Sequence, residues 1–195
     1  MSSNDWLPVG YKEPATSNYM KLAPGENTFR ILSRPIMGYE WWKDEKDSEG
    51  KDIRRPHRVK EDTDILIEKV DSPEQIKHFW AMVVYNVNDN KIQILEITQK
   101  TIKRGIEALA RNTKWGSPIN YNIVITRSGE GRDSEYQVNP EPKEELDKKI
   151  IEQCEKMDID IEKLYTGEDP FGKKVEDEGV DIDDAVDAAI DASSK

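Results

Sequence analysis

Residues 78–87, HFWAMVVYNV, and residues 91–98, KIQILEIT, decide the fold of this 195-residue chain. Both runs are rich in β-branched and aromatic residues, which favour extended backbone. Only Asn88-Asp89-Asn90 separates them. A short Asn/Asp linker between two such runs predicts a β-hairpin.

Further elements are predicted on both sides of this hairpin. Residues 28–43 are rich in β-branched and aromatic types and predict an earlier strand, bent at a proline and a glycine. Residues 99–112 place apolar side chains on one helical face and predict a helix, with Thr98 as its cap. Residues 119–127 alternate between apolar and polar side chains, and residues 134–138 predict a last short strand.

A helix between the third and fourth of five strands is the order of the OB-fold, a partly open Greek-key barrel. We therefore expect a mainly β fold with α elements, a five-stranded barrel followed by a C-terminal helix and an acidic tail. A generic α+β domain with an antiparallel sheet is the alternative. The predicted divisions are an N-terminal arm (1–25), an OB-fold domain (26–139, with an insertion at 44–77), a C-terminal helix (140–165) and a disordered acidic tail (166–195).

The distributions of charged and of aromatic residues both divide the chain into a body and a C-terminal end. The net charge is −11, yet residues 21–139 hold 20 Lys or Arg against 19 Asp or Glu. Residues 168–195 hold three Lys against ten Asp or Glu. Ten of the fifteen aromatic residues lie between Phe29 and Tyr136. A near-neutral, aromatic-rich body thus precedes an acidic end.

Proteins that bind single-stranded nucleic acid combine cations for the phosphates with aromatic rings for unstacked bases. An OB-fold binds on its second and third strands, here residues 79–97, and on the flanking loops, here 44–77 and 128–133. The stacking candidates are Tyr39, Trp41, Trp42, Phe79, Trp80 and Tyr85. The phosphate-binding candidates are Arg30, Arg34, Arg54, Arg55, Arg58, Arg127 and Arg132.

Core packing and a solvated, salt-bridged surface are the alternatives for these aromatic and basic residues. Neighbouring residues of a strand point to opposite faces, so Trp41 and Trp42 do not both lie in the core, and the same holds for Phe79 and Trp80. A second basic set reads as an ordinary solvated helix face; its members are Lys100, Lys103, Arg104 and Lys114.

Residues 19–32, YMKLAPGENTFRIL, followed by Gly38-Tyr39-Glu40-Trp41-Trp42, resemble bacteriophage single-stranded DNA-binding proteins. His78-Phe79-Trp80-Ala81, the predicted helix with Trp115-Gly116 after it, and the acidic C-terminus extend the resemblance over most of residues 19–195. The resemblance implies an OB-fold that coats single-stranded DNA during phage replication, recombination and repair in the host cytoplasm. It also implies a tail that binds phage or host replication proteins.

The acidic tail can compete with DNA for the cationic body or present its side chains to a partner. The candidate partner-binding residues are Asp169, Phe171, Asp181, Asp183, Asp184 and Asp187. An acidic protein-interaction or DNA-mimic module that inhibits a nucleic-acid enzyme is the main alternative function. An enzyme acting on nucleic acid is a third, and the choice between DNA and RNA stays open because the two differ at the 2′-hydroxyl.

Composition and motifs argue against several other classes. No run approaches the ~18 apolar residues of a membrane span, and the first ten residues lack a signal-peptide pattern. A single cysteine, Cys154, excludes an internal disulfide and a multi-cysteine zinc site. No phosphate loop, dinucleotide fingerprint or nucleophile elbow is present. We expect no enzyme activity, no cofactor, no metal and no membrane association, and a monomer or weak homo-oligomer.

Overall fold

The computed structural model describes residues 17–46, 49–62 and 75–172, with the side chain of Arg132 excepted. This part of the chain is mainly β, as predicted, with eight strands and two α-helices. The strands are β1 (Tyr19–Met20), β2 (Gly25–Ile31), β3 (Ile36–Lys46), β4 (Asp52–Lys60), β5 (Lys77–Asn86), β6 (Lys91–Ile97), β7 (Tyr121–Ser128) and β8 (Glu135–Lys143). The helices are α1 (Lys100–Arg111) and α2 (Lys148–Met157).

The strands form one open, mixed sheet in the order β1-β6-β5-β2-β7-β8, and β3 joins it by pairing with β4 and β5. Only the β1–β6 pair is parallel among these pairs. The predicted first strand, residues 28–43, is divided between β2 and β3, and β5, β6, α1, β7 and β8 follow it in the predicted order. The strand count is eight, and within the described residues β8 pairs with β7 alone.

The hairpin predicted at residues 78–98 is present as β5 and β6. Its register pairs Asn86 with Lys91 across the turn, and Asn90 has a left-handed φ of 52°, which asparagine tolerates. The Asn86 side chain donates to Asp89 and to Gln93, so the amide stabilises both the turn and the strand that follows.

Within the predicted insertion at residues 44–77, β4 pairs with β3 to form a second hairpin. Cross-strand pairing sets Asp44 opposite Arg54 and Glu40 opposite Arg58. Opposite charges on facing positions stabilise a ladder that β propensity alone does not favour. Gly38 is required where β3 lies between two neighbours, since a Cβ there would clash with the carbonyl oxygen of Val59.

Several element boundaries also differ from prediction. Helix α1 is preceded by Gln99 as N-cap, with no side-chain cap, instead of Thr98. Strand β8 continues through Pro140 and Pro142, which it tolerates because it is an edge strand in the described sheet. Helix α2 consequently starts at Lys148, and the Asp147 side chain caps it by accepting from the Lys149 amide.

The sheet carries apolar packing on both faces of β5. On one face Met82 and Val84 lie in a cluster with Ile102 and Ile106 of α1 and with residues of β2 and β7. On the other face Phe79 and Ala81 lie in a second cluster with Leu164. Because alternate residues of β5 are buried on opposite sides, this strand fixes both layers.

Residues 159–172, part of which we predicted as the start of the tail, pack on the second face of β5. A 3-10 turn at Ile161–Tyr165 buries Leu164, and the Tyr165 hydroxyl donates to the Met37 carbonyl at 2.6 Å. Phe171 packs against the same cluster, with its ring 6.3 Å from that of Tyr19. Residues 173–195 lie outside the described part of the chain.

Replacing Gly105 by alanine tests how closely α1 approaches β8. A Cβ on Gly105 would lie 2.7 Å from the Cβ and Cγ2 atoms of Val138, whose β-branched side chain is stiff. We expect Gly105→Ala to lower the free energy of unfolding by about 1–3 kcal/mol through overpacking. Helix propensity alone predicts a gain of about 1 kcal/mol instead.

Chemical denaturation measures the effect, and the double variant Gly105→Ala/Val138→Ala is the control. The double variant should lose less stability than the sum of the two single variants, because the shortened side chain gives the new methyl group room. A single Gly105→Ala variant more stable than the wild type would contradict the close packing.

Candidate nucleic-acid interface

Strand alternation divides the side chains of the β3–β4 hairpin between two faces. Trp41 pairs with His57, and Lys43 pairs with Arg55. Directly opposite residues of a ladder share a face, so these four side chains and Tyr39 lie on one side of the hairpin. We call the surface formed by Tyr39, Trp41, Lys43, Arg55 and His57 the Trp41 face.

The aromatic rings of the Trp41 face are ordered by ring contacts. The Trp41 ring stacks on His57, with centroids 5.5 Å apart and planes inclined by 17°. Tyr39 meets the His78 ring edge-on at 5.4 Å. Trp41 and Tyr39 are half-buried and His57 is exposed, so each ring is supported by the protein and reachable by solvent.

The basic residues of this face share one acidic neighbour, Glu45, which lies near Lys43 and His57 but not in an ion pair with Arg55. Arg55 is exposed, and no ion pair to it occurs among the described residues. Lys43 lies 4.0 Å from Glu45, at the outer limit of an ion pair, and His57 lies 3.4 Å from the same carboxylate. Such exposed pairs contribute little and are screened by salt, so the face presents positive charge beside its rings.

The opposite face of the hairpin has its cations matched by acids. Trp42 is 48% exposed and lies 6.0 Å from the Arg54 guanidinium, in a cation–π contact. Arg54 also lies 3.9 Å from Asp44 and donates to the Gln75 side chain at 3.3 Å. Arg58 is buried further along this face, so the charge available to a ligand is lower than on the Trp41 face.

Arg58 belongs to a buried ion cluster instead of a phosphate-binding surface. Its guanidinium lies 2.6 Å from Glu96 and 3.4 Å from Glu40, and its side chain is 10% exposed. Burial, followed by the charge and hydrogen bond of Glu96, raises the pKa of Glu40 to about 7, although Arg58 opposes the shift. At a pH below this pKa the Glu40 carboxyl is mostly protonated and can donate a hydrogen bond to its neighbour.

Stability should therefore depend on the protonation of Glu40. Between its ordinary pKa of 4.5 and the folded value of about 7, the unfolded chain releases the proton while the folded protein keeps it. The unfolded state binds fewer protons in that window, so the contribution of Glu40 to stability is lost as pH rises through it.

Thermal unfolding from pH 4 to pH 8 for the wild type and Glu40→Gln measures this. We expect the stability of Glu40→Gln relative to the wild type to increase as pH rises from about 4.5 to 7, because glutamine keeps the neutral form. A constant difference between the two profiles would contradict the raised pKa.

Two of the arginines predicted to bind phosphate have guanidinium groups that are hydrogen-bonded within the protein. Arg30 is 3% exposed and donates to the Asn122 side chain at 2.8 Å and to the Glu144 carbonyl at 2.9 Å. Arg127 donates to the Leu22 carbonyl at 2.9 Å and to the Ser134 hydroxyl at 3.3 Å. Both connect strands to neighbouring segments, so we leave them out of the interface.

The other predicted binding residues are dispersed. Arg34 is exposed, and Arg132 lies in the 3-10 turn Gly131–Asp133, away from the hairpin in sequence. Tyr85 lies at the far end of β5, where its hydroxyl donates to Asn90 at 2.6 Å. Phe79 is fully buried beneath the 159–172 segment, and Trp80 is half-buried against the α1 cluster.

The predicted partner-binding residues divide between described and undescribed parts of the chain. Phe171 packs on the sheet, and the Asp169 side chain accepts from the Phe171 amide at 3.0 Å. Asp181, Asp183, Asp184 and Asp187 lie outside the described residues.

Sequence reasoning missed the histidines. We assigned His57 to a loop and His78 to a plain strand position, yet His57 supports Trp41 and His78 supports Tyr39. The signal in the sequence is that residues 39–43 face residues 55–59 when the two segments are taken as paired strands. Two aromatic residues at facing positions then indicate a ring stack.

The described residues contain no helix long and apolar enough to cross a membrane. Within the same ranges, no group of three or more histidine, cysteine or acidic side chains is arranged to hold a metal ion.

Comparison with known proteins gives one weak similarity. No protein-family model matches the chain, and no solved structure matches it. The chain is 32% identical over 62 residues to a protein named probable ssDNA-binding protein from Escherichia phage T5. The matched segment is 32% of this chain and spans about a quarter, 23%, of that protein.

Proposed function

We propose that this protein binds single-stranded DNA without strong sequence preference, through the Trp41 face. The observation that carries the proposal is the stack of Trp41 on His57 beside Lys43 and Arg55. An exposed ring plane accepts an unstacked base, and adjacent cations accept the phosphates on either side. The name of the phage T5 protein, a probable ssDNA-binding protein, supports the same ligand.

The wider role follows from the resemblance to phage single-stranded DNA-binding proteins. The protein coats and protects DNA during phage replication, recombination and repair in the host cytoplasm, as a binding protein and not an enzyme. The order β2, β5, β6, α1, β7, β8 supports an OB-fold in which the β3–β4 hairpin extends the loop between the first two barrel strands. The acidic tail competes with DNA and recruits replication proteins.

Replacing the two neighbouring tryptophans separately tests the assignment of the face. Trp41→Ala should weaken binding to oligo-dT by about tenfold or more, since stacking on an aromatic ring contributes about 1–3 kcal/mol per base. Trp42→Ala changes the adjacent residue on the opposite face and should weaken binding by less than about threefold. Mobility shift and tryptophan fluorescence at two salt concentrations measure the affinities.

Three further measurements test which nucleic acid the protein binds. Affinity for oligo-dT should fall with salt, with a log–log slope of about −0.7 for each phosphate contacted. Duplex DNA should bind more weakly than oligo-dT, and an RNA oligonucleotide tests the contribution of the 2′-hydroxyl. Absence of any oligo-dT binding by the wild type at low salt would falsify the proposed function, and equal losses in the two tryptophan variants would overturn the choice of face.

Removing residues 173–195 tests competition by the tail. This segment holds three Lys against eight Asp or Glu, while Phe171, which packs on the sheet, is retained. We expect the shortened chain to bind oligo-dT more tightly at low salt and the difference to shrink as salt rises, because the competition is electrostatic. Unchanged or weaker binding counts against a competing tail.

A further inference from the structure

Helix α1 begins with basic residues where most helices carry acidic ones. Its N-cap Gln99 makes no side-chain cap hydrogen bond, and its first turn contains no acid. The amino end of a helix has a partial positive charge that Asp or Glu usually balances. Here Lys100, Lys103 and Arg104 add further positive charge, so an anion from outside the helix would be stabilised at this end.

These cations line a cavity of about 510 Å³ between α1 and the start of β5. We call it the α1 cleft; its cationic residues are Lys77, Lys100, Lys103 and Arg104, and Glu107 is the acid that also lines it. No ion pair to Lys100 or Arg104 occurs in the described ranges. Lys103 is oriented by donating to the His78 carbonyl at 2.6 Å, and burial together with Lys100 lowers its pKa.

Trp80 and Glu107 line both the α1 cleft and a second, largely apolar cavity of about 510 Å³. We call the second cavity the Trp80 pocket; Met37, Met82, Ile106, Ala110 and Pro118 contribute to its wall. Arg34 and Arg111 also line it. The indole Nε1 of Trp80 is buried and has no hydrogen-bond partner in the described structure.

The Trp41 face continues into these two cavities. Tyr39 contacts the His78 ring, and His78 Nδ1 lies 3.0 Å from the Lys103 ammonium. Met37 pairs with Trp80 across β3 and β5, two residues from the Tyr39–His78 pair and therefore on the same side of the sheet. Rings and cations thus follow one another from the hairpin to α1.

We propose that the two cavities beside Trp80 form a second nucleotide subsite, in which the α1 cleft binds backbone phosphate and the Trp80 pocket takes a base. A nucleotide carries a phosphate anion and a flat base with apolar ring faces on the same sugar, and this pair of neighbouring cavities matches both parts. The inference rests on the proposed function, because the strand that reaches the subsite is the one bound on the Trp41 face.

Charge reversal tests the phosphate half. Lys100→Glu/Arg104→Glu should weaken oligo-dT binding at low salt by about tenfold or more and flatten the salt dependence by one or two phosphate contacts. Lys148→Glu/Lys149→Glu on α2 makes the same change in net charge and is the matched control. An effect no larger than that of the control overturns the cleft.

Filling the apolar cavity tests the base half. Ala110→Phe adds a ring at the wall of the Trp80 pocket, and Ala108→Phe adds the same ring at another exposed position of α1. We expect Ala110→Phe to weaken oligo-dT binding several-fold and to leave binding of an abasic deoxyribose-phosphate strand unchanged. Equal affinities of the two phenylalanine variants for oligo-dT overturn the base pocket.

Two comparisons distinguish the nucleotide subsite from the proposed function and from binding of the acidic tail. Normal binding by the charge-reversed protein together with weak binding by Trp41→Ala leaves the proposed function standing and removes the subsite. The acidic tail is the other candidate occupant of the cleft, and the full chain with Asp181, Asp183, Asp184 and Asp187 changed to Asn tests it. Loss of the charge-reversal effect in that background assigns the cleft to the tail; persistence of the effect supports DNA.

Discussion

The structure depends on strand β5, which pairs with three different strands and is buried on both faces. Its first half pairs with β3, its second half with β2, and its other edge with β6. The β3–β4 hairpin therefore joins the sheet through the first half of β5, next to the residues at which β2 pairs with the second half. Phe79 and Met82 fix opposite layers, so the direction of every side chain on β3 and β4 follows from the register of β5. A shift of one residue would exchange the two faces of the hairpin.

This register explains why two adjacent tryptophans have different surroundings. Trp41 lies with His57, Lys43 and Arg55, and Arg55 has no ion pair among the described residues. Trp42 shares its side with Arg54, Asp44 and the buried Arg58 cluster. Because of the same alternation, the Trp41 face lies on the side of the sheet that carries α1. The face of Trp42 lies on the side that carries the C-terminal segment. The functional proposal is thus a consequence of strand geometry as much as of residue type.

Strong local patterns predicted the central elements, and long-range pairing decided the rest. The β5–β6 hairpin and helix α1 could be predicted because β-branched runs, an Asn-rich turn and a helical apolar face are local signals. The β3–β4 hairpin could not, because its Asp, Glu, Lys and Pro residues are types depleted in strands, and the ladder is stabilised by pairing between the two strands. The roles of Arg30 and Arg58 were beyond sequence reasoning for a similar reason. An arginine held by Asn122 or by Glu96 has the same local sequence signature as one that is free to bind phosphate.

The position of Phe171 determines where the acidic end of the chain is tethered. Its ring packs beside Tyr19 on the sheet, so residues 173–195 start from a fixed point on the folded body. A tethered group has a local concentration set by the length of its linker, in the millimolar range for short flexible ones. In the proposed competition, carboxylates attached at this anchor would meet the cations of their own chain at a concentration that dilution of the protein does not change. The bound fraction of a separate ligand of those cations, in contrast, falls as the solution becomes more dilute.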